Sequence, residues 1–339
     1  MLRSISIFAV VMSSLLCSTP VWAAPKFVSF DPPGSILTYA AAINASGEVT
    51  GYYLDTADIY HAFIREPGGK FTTFDLTSSP EWIYFGGINA SGQIAGSYNG
   101  ATGGNHGFLR DPDGTITIID VPFSGVTGTI ITAINDSGGL CGYYLLNNVW
   151  YGFVRDPAGN FTSIVTPNSY LYGINASGEA TGNFGGTKIY NGFVRDRLGD
   201  NTMFDFAGAS YITPYAINKS GQVTGDYLDA SGVFHGFLRK SDGNLIDITA
   251  PGAGTGTFDG TRGRAINDNG QVAGLVILDS GAYQGFVRQG ADGTITVFNA
   301  PKAGTASGEG TQAMGINASG AIVGIYIDAN HVYHGFLRF

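Results

Sequence analysis

Beyond its first two dozen residues the chain alternates short β-prone runs with clusters of turn residues, and no stretch carries the 3.6-residue period of an amphipathic helix. Residues 217–239 show the pattern: I-N-K-S-G-Q-V-T-G-D-Y-L-D-A-S-G-V-F-H-G-F-L-R. The runs at 222–227 and 234–239 are rich in aromatic and branched residues, 244–249 is a third, and 215–217 is a fourth. Asn-Lys-Ser-Gly and Ser-Asp-Gly separate them, and such residues tolerate the left-handed backbone of hairpin turns. The pattern predicts a four-stranded antiparallel meander, with strands a to d in chain order.

The unit returns seven times: the Asn of the I-N pair falls at Asn44, Asn89, Asn135, Asn175, Asn218, Asn267 and Asn317. A glycine follows seven residues later in every copy, from Gly51 to Gly324. The Phe of the closing motif is Phe63, Phe108, Phe153, Phe193, Phe237, Phe286 or Phe336, with an Arg two residues on. Four strands in roughly 45 residues is the pattern of a β-propeller blade. Inner strands of a blade are covered on both faces, which explains why these runs do not alternate cleanly in polarity. The last copy stops after its c strand. Residues 25–31, P-K-F-V-S-F-D, match the d segment K-F-T-T-F-D at 70–75. The expected fold is therefore all-β: one domain over 25–339, a seven-bladed β-propeller closed by an N-terminal strand that completes the last blade.

These motifs carry a resemblance. His61-Ala62-Phe63 is the literal tripeptide of the bacterial extracellular HAF-repeat family, and copies two, five and seven read His-Gly-Phe at His106, His235 and His334. Copies three, four and six depart, with Tyr151, Asn191 and Gln284 in the His position. The resemblance covers nearly the whole chain after the leader. It implies export and a repeat-β fold, and brings no activity and no catalytic residues with it.

Composition narrows the setting. Residues 1–24 have a basic start at Arg3, an apolar stretch and a Val-Trp-Ala cleavage pattern, and read as a signal peptide; no later segment reads as a membrane span. The product is expected in the periplasm or outside the cell. Cys17 would leave with the leader, so Cys141 would remain as a lone thiol, unable to form an internal disulfide. It occupies a slot held elsewhere by Thr, Ala or Val and reads as core filler. A formal charge of −9 argues against nucleic acid as a partner.

Candidate chemistry is sparse. The interval from Phe to the next Asn varies from 22 to 31 residues, so the d–a connections hold the variation. Trp82, Tyr84, Tyr172, Tyr215, Arg262 and Arg264 lie there and are the expected contact residues at the mouth of the channel. The competing reading is that these rings plug the channel or pack the loops. The Asn-x-Ser triplets have the form of glycosylation acceptors but coincide with the hairpins, where turn chemistry accounts for them. Asp-rich turns at 111–114 and 267–270 resemble calcium loops but lack the later carboxylate, so neither a metal nor another cofactor is expected. The Arg after each Phe reads as packing its stem and bonding turn carbonyls. Counting through the c–d turn sets His61 opposite Asp75, His106 opposite Asp120 and His334 opposite Asp31, with His235 facing Thr249. Repetition of this pair argues for a structural bond. No nucleophile stands in an activating context, so no catalytic residue is assigned.

The function expected from sequence is non-enzymatic binding of a polysaccharide or an envelope protein. A propeller hydrolase or lyase acting on glycans is the alternative. Acidic residues converging on the channel would favour the enzyme, and a lining of aromatics and Arg would favour binding.

Overall fold

The structure, a computed structural model, describes residues 25–76, 80–100, 103–185 and 190–339. The leader expected at 1–24 lies outside them. The chain is all β, with 28 strands and no helix among the described residues. Each repeat forms an antiparallel meander. In the fifth, strand a (Tyr211–Ile217) pairs with b (Val223–Leu228), b with c (Phe234–Arg239), and c with d (Leu245–Ile248). Three repeats stand as separate four-stranded sheets. The other four merge into a 16-stranded sheet through single-residue parallel bridges, Tyr190 to Tyr211, Phe234 to Gly260 and Tyr283 to Gly310. The N-terminal strand Phe27–Phe30 pairs antiparallel with the last strand, Tyr333–Arg338, in the register Phe27 to Arg338 and Phe30 to Gly335. It thus takes the d position of the seventh repeat.

The Asn of each a–b hairpin does two jobs. Its Oδ1 accepts the amide four residues on, as Asn135 accepts Gly139 N–H at 2.7 Å, and this fixes the turn. Its Nδ2 donates to the carbonyl of the next repeat's Asn, from Asn44 to Asn89 at 3.1 Å through to Asn267 to Asn317 at 2.9 Å. The seventh bond runs from Asn317 back to the Asn44 carbonyl at 3.1 Å, so the bonds form a closed circuit. All seven side chains are buried at 3–6 % exposure. The nitrogen that a glycan would need is already used, and the turn reading of Asn-x-Ser holds.

The core lies between sheets. The seven Phe residues of the closing motif are 0–1 % exposed and are the largest fully buried side chains. The glycine before Phe makes room: a Cβ at Gly192, Gly285 or Gly335 would strike the ring of Phe204, Phe298 or Phe30 on the d strand. Five of the terminal Arg residues donate Nη1 to the carbonyl of the following residue, as Arg110 does to Asp111 at 3.0 Å. Four spread the guanidinium over a d-strand Phe of the preceding sheet, Arg110 over Phe74 at 4.8 Å among them. These cations belong to the scaffold.

Candidate functional site

Every a strand carries a β-bulge at the same place, three residues before its Asn. A bulge adds one residue to one strand of a pair and re-aims its side chain. The seven bulged residues are Ala41, Gly86, Thr132, Tyr172, Tyr215, Arg264 and Met314, and all of them line a single cavity of about 600 Å³. The glycine seven residues after each Asn is the counterpart of the bulge. A Cβ at Gly51, Gly142 or Gly225 would collide with the carbonyl oxygen of Tyr39, Ile130 or Thr213 on the bulged strand. The most regular glycine of the repeat is therefore what permits one residue per sheet to leave the ladder.

The cavity wall is graded. Ile43, Ile174, Ile217, Ile266 and Ile316, each one residue before an Asn, make an apolar end. Tyr39, Tyr84 and Gln312 stand five residues before their Asn, roughly 13 Å away along an extended strand. Between these levels the bulged positions are small on one side (Ala41, Gly86, Thr132) and large on the other (Tyr172, Tyr215, Arg264, Met314). Tyr39 stacks on Tyr52 with centroids 5.0 Å apart and planes 3° apart, and its hydroxyl reaches Met314 Sδ at 3.8 Å. Tyr172 and Tyr215 have centroids 6.0 Å apart. Burial raises the phenol pKa of Tyr39, Tyr84, Tyr172 and Tyr215, so these hydroxyls stay neutral. Tyr84 keeps 45 % of its surface accessible even so, because its ring faces the open space of the cavity.

Of the six expected contact residues, Tyr84, Tyr172, Tyr215 and Arg264 line this cavity. They lie in the a strands and not in the d–a loops where sequence had put them, because the length variation is absorbed before each strand begins. Trp82 and Arg262 are not among the lining residues. Trp82 is half-buried just before its strand, and its carbonyl accepts Asn99 N–H at 3.3 Å. Arg262 turns to the fully buried Asp226, with Nε 2.7 Å from Oδ2. It also donates Nη2 to the Tyr215 hydroxyl at 3.1 Å and lies 4.0 Å over the Phe234 ring. Burial is the strongest influence and opposes the Arg262 charge, but Asp226 and Tyr215 together outweigh it and the net shift is upward.

The His–Asp rungs sit elsewhere, between the c strands and the residues just past the d strands. His61 Nδ1 is 2.6 Å from Asp75 Oδ1, and Nε2 is 3.2 Å from Asp55 Oδ2. His334 Nδ1 is 2.8 Å from Asp31 Oδ2, and His106 Nδ1 is 2.8 Å from Asp120 Oδ2. His235 does not depend on Thr249: it bonds Asp229 at 3.2 Å and lies 3.9 Å from Asp247. The rings stack on b-strand tyrosines, His61 on Tyr53 at 5.0 Å. The His61 side chain is 21 % exposed but that of Asp75 is 58 % exposed, so the rung is open to solvent on its carboxylate side. An imidazole that meets carboxylates through both nitrogens does so best when doubly protonated. Burial opposes the His61 charge, yet Asp75 and Asp55 raise its pKa overall. Cys141 is fully buried and its thiol is pushed up to about 12, which makes it inert packing. Among the described residues no group of three or more His, Cys, Asp or Glu side chains could hold a metal ion.

Sequence reasoning missed Tyr39, Gln312 and Met314 in the cavity wall. Counting back three and five residues from each Asn would have found them.

No family model matches the chain, and no curated protein matches it. Solved structures do resemble it. A streptogramin B lyase aligns over 92 % of this chain and 97 % of its own, with TM-score 0.58 and 13 % identity. Virginiamycin B lyase from Staphylococcus aureus with quinupristin aligns over 93 % and 100 %, with TM-score 0.59 and 11 % identity. The β-propeller domain of the Trilobed protease from Pyrococcus furiosus aligns over 89 % and 95 %, with TM-score 0.55 and 11 % identity. At such identities the likeness shows the fold, a β-propeller, and nothing of the activity.

Proposed function

We propose that the chain is an exported seven-bladed β-propeller that binds a polysaccharide in its central cavity without altering it chemically. Seven repeats, seven Asn-to-Asn bonds that return to their origin, and the N-terminal strand on the last sheet support the closed ring. The HAF-type repeats and the leader-like residues 1–24 support export, to the periplasm or beyond. Among the described residues no helix is long and apolar enough to cross a membrane.

One observation carries the functional reading. Seven bulges open onto one concave space whose walls are mostly Tyr, Ile, Ala and Gly, with Phe85, Met314, Thr132 and Gln312, and among the described residues Arg264 is its one charged group. Aromatic faces stack on pyranose rings and lose little entropy in doing so, and a few polar groups then set orientation. Glycan hydrolysis commonly uses a pair of carboxylates, one as acid and one as base or nucleophile. Among the described residues no carboxylate or imidazole is part of this wall. The lyases among the similar structures share the fold only, which is why catalysis is not carried over from them.

The test is equilibrium binding of the protein lacking residues 1–24 to an array of oligosaccharides, with each bound sugar recovered and sized. Retention of intact oligomers, lost in Tyr172→Ala and Tyr215→Ala, is the expected result. Cleaved or unsaturated products would establish the enzyme, and an array with no binding would remove glycans as ligands.

A further inference from the structure

Arg264 is the odd member of the cavity wall. This fold has two ways of keeping an arginine for itself. Arg262, two residues earlier, is tied to Asp226 and Tyr215 and flattened on Phe234. Five of the arginines at the ends of the c strands, Arg110 among them, bond the carbonyl of the following residue. Arg264 does neither. Its Nε is buried with no hydrogen-bond acceptor, a trait it shares with Arg65, Arg110, Arg239 and Arg338, but of these five Arg264 is the one that lines the cavity. Its guanidinium stacks on the Tyr215 ring at 4.3 Å.

That arrangement leaves work for a ligand. Stacking occupies a face of the guanidinium and leaves its in-plane N–H groups, the fork that matches two oxygens of an oxyanion. A half-buried cation without a counter-ion is poorly solvated, and an incoming anion offsets that cost. The neutral phenols of Tyr39, Tyr84 and Tyr215 lie close enough to feel the Arg264 charge, which partly opposes the effect of burial on them. They supply hydroxyl donors and acceptors around the same point. Across the cavity, Ala41 and Gly86 at the bulge level leave room for a ring.

We propose that the ligand of this cavity is an anionic sugar, carboxylated or sulfated, whose oxyanion is held by Arg264 while its ring lies against Tyr215 and Tyr172. This rests on the glycan-binding reading and specifies its chemistry. The net charge of −9 does not oppose it at short range, because Arg262 and Asp226 already neutralise each other behind the wall. At long range it predicts that moderate salt will speed the approach of an anion.

Calorimetric titration tests the proposal, using galacturonate oligomers, sulfated galactose oligomers and neutral galactose oligomers as probes. Charged oligomers are expected to bind at least about 10-fold more tightly than neutral ones. Arg264→Gln should weaken the charged ligands by about 10- to 100-fold, the range of a charge-assisted bond, and leave the neutral oligomers unchanged. Arg264→Lys, which keeps the charge and loses the fork, should fall between. The better of the two charged probes identifies carboxylate or sulfate as the natural group. Equal affinity for charged and neutral oligomers, or full affinity in Arg264→Gln, overturns the anion inference while the glycan reading stands. If no oligomer of any kind binds the folded protein, both fall. Thermal melting of each variant separates lost binding from lost fold.

Discussion

If the circuit of Asn bonds is closed, its seam is as strong as its interior, and a single substitution reads this out. Asn135 and Asn317 make a matched pair. Position +4 is Gly139 in one case and Ala321 in the other, so neither Nδ2 has a side-chain partner besides the inter-repeat carbonyl. Each Oδ1 accepts the same set: the +2 amide at 3.1 Å, the +2 hydroxyl at 2.7–2.8 Å and the +4 amide at 2.7–3.0 Å. Asn→Asp keeps all three and removes only the donor. The buried acid then has two options. Ionised, it loses a bond worth about 1 kcal/mol and sets a carboxylate oxygen against a carbonyl. Protonated, it donates as Asn did, but holding a proton at pH 7 against a reference pKa of about 3.9 costs about 4 kcal/mol. The cost at pH 7 should therefore lie at about 2–4 kcal/mol for Asn317→Asp and for Asn135→Asp alike. Burial and the facing carbonyl raise the folded pKa of the introduced carboxyl while the three donors on Oδ1 lower it; with the first pair dominant, the folded state holds the extra proton and relative stability rises as pH falls. Near pH 4 the deficit against the parent protein should shrink to about 1 kcal/mol or less. Urea unfolding followed by aromatic fluorescence at pH 7 and pH 4.5 measures both effects. A seam variant that loses less than half of what Asn135→Asp loses would mean that the circuit is open between Asn317 and Asn44. A deficit that does not shrink with acid would refute the hydrogen-bond reasoning itself.

Other perturbations follow from the same geometry. Gly225→Ala would press a Cβ onto the Thr213 carbonyl and the Pro214 backbone, so it should cost more than about 4 kcal/mol or leave the chain insoluble, whereas Gly68→Ala, in open space, should shift stability by less than about 0.5 kcal/mol in a thermal melt. His61 has a raised pKa in the fold, so its pairing with Asp75 and Asp55 stabilises below about pH 6.5 and that contribution is lost as pH rises through the higher folded value. The gap in melting temperature between the parent and His61→Gln should accordingly narrow from pH 6 to pH 8.5, and a constant gap would count against a charged rung. Cys141 should resist an aromatic disulfide reagent at pH 8 until the protein unfolds; rapid labelling of the native state would contradict its full burial and a thiol pushed up to about 12.

The strands were readable because their polarity and turn residues repeat. Runs expected at 222–227 and 244–249 occur as Val223–Leu228 and Leu245–Ile248. The N-terminal strand was readable because residues 25–31 copy a d segment, and it pairs where that copy implies. The bulge was not, because Ala, Gly, Thr, Tyr, Arg and Met share no chemistry. Their regularity lives in the backbone, and its trace in sequence is the glycine that faces it. The Asn residues were read as turn formers, which their Oδ1 bonds bear out, but donation by Nδ2 to the next repeat has no local signature. Arg262 and Arg264 look alike in sequence, two residues apart on one strand. The buried Asp226, thirty-six positions before Arg262, separates them, and only the packing of one repeat's a strand against the preceding repeat's b strand reveals it.

The most direct test of the account is a crystal structure of residues 25–339 soaked with a galacturonate trimer. The account predicts seven four-stranded sheets in a closed ring, with sugar density in the cavity and an oxyanion against the Arg264 guanidinium beside Tyr215. Well-ordered sugar bound only outside this cavity, for instance in the recess lined by Asp31, Asp328 and His334, would contradict it.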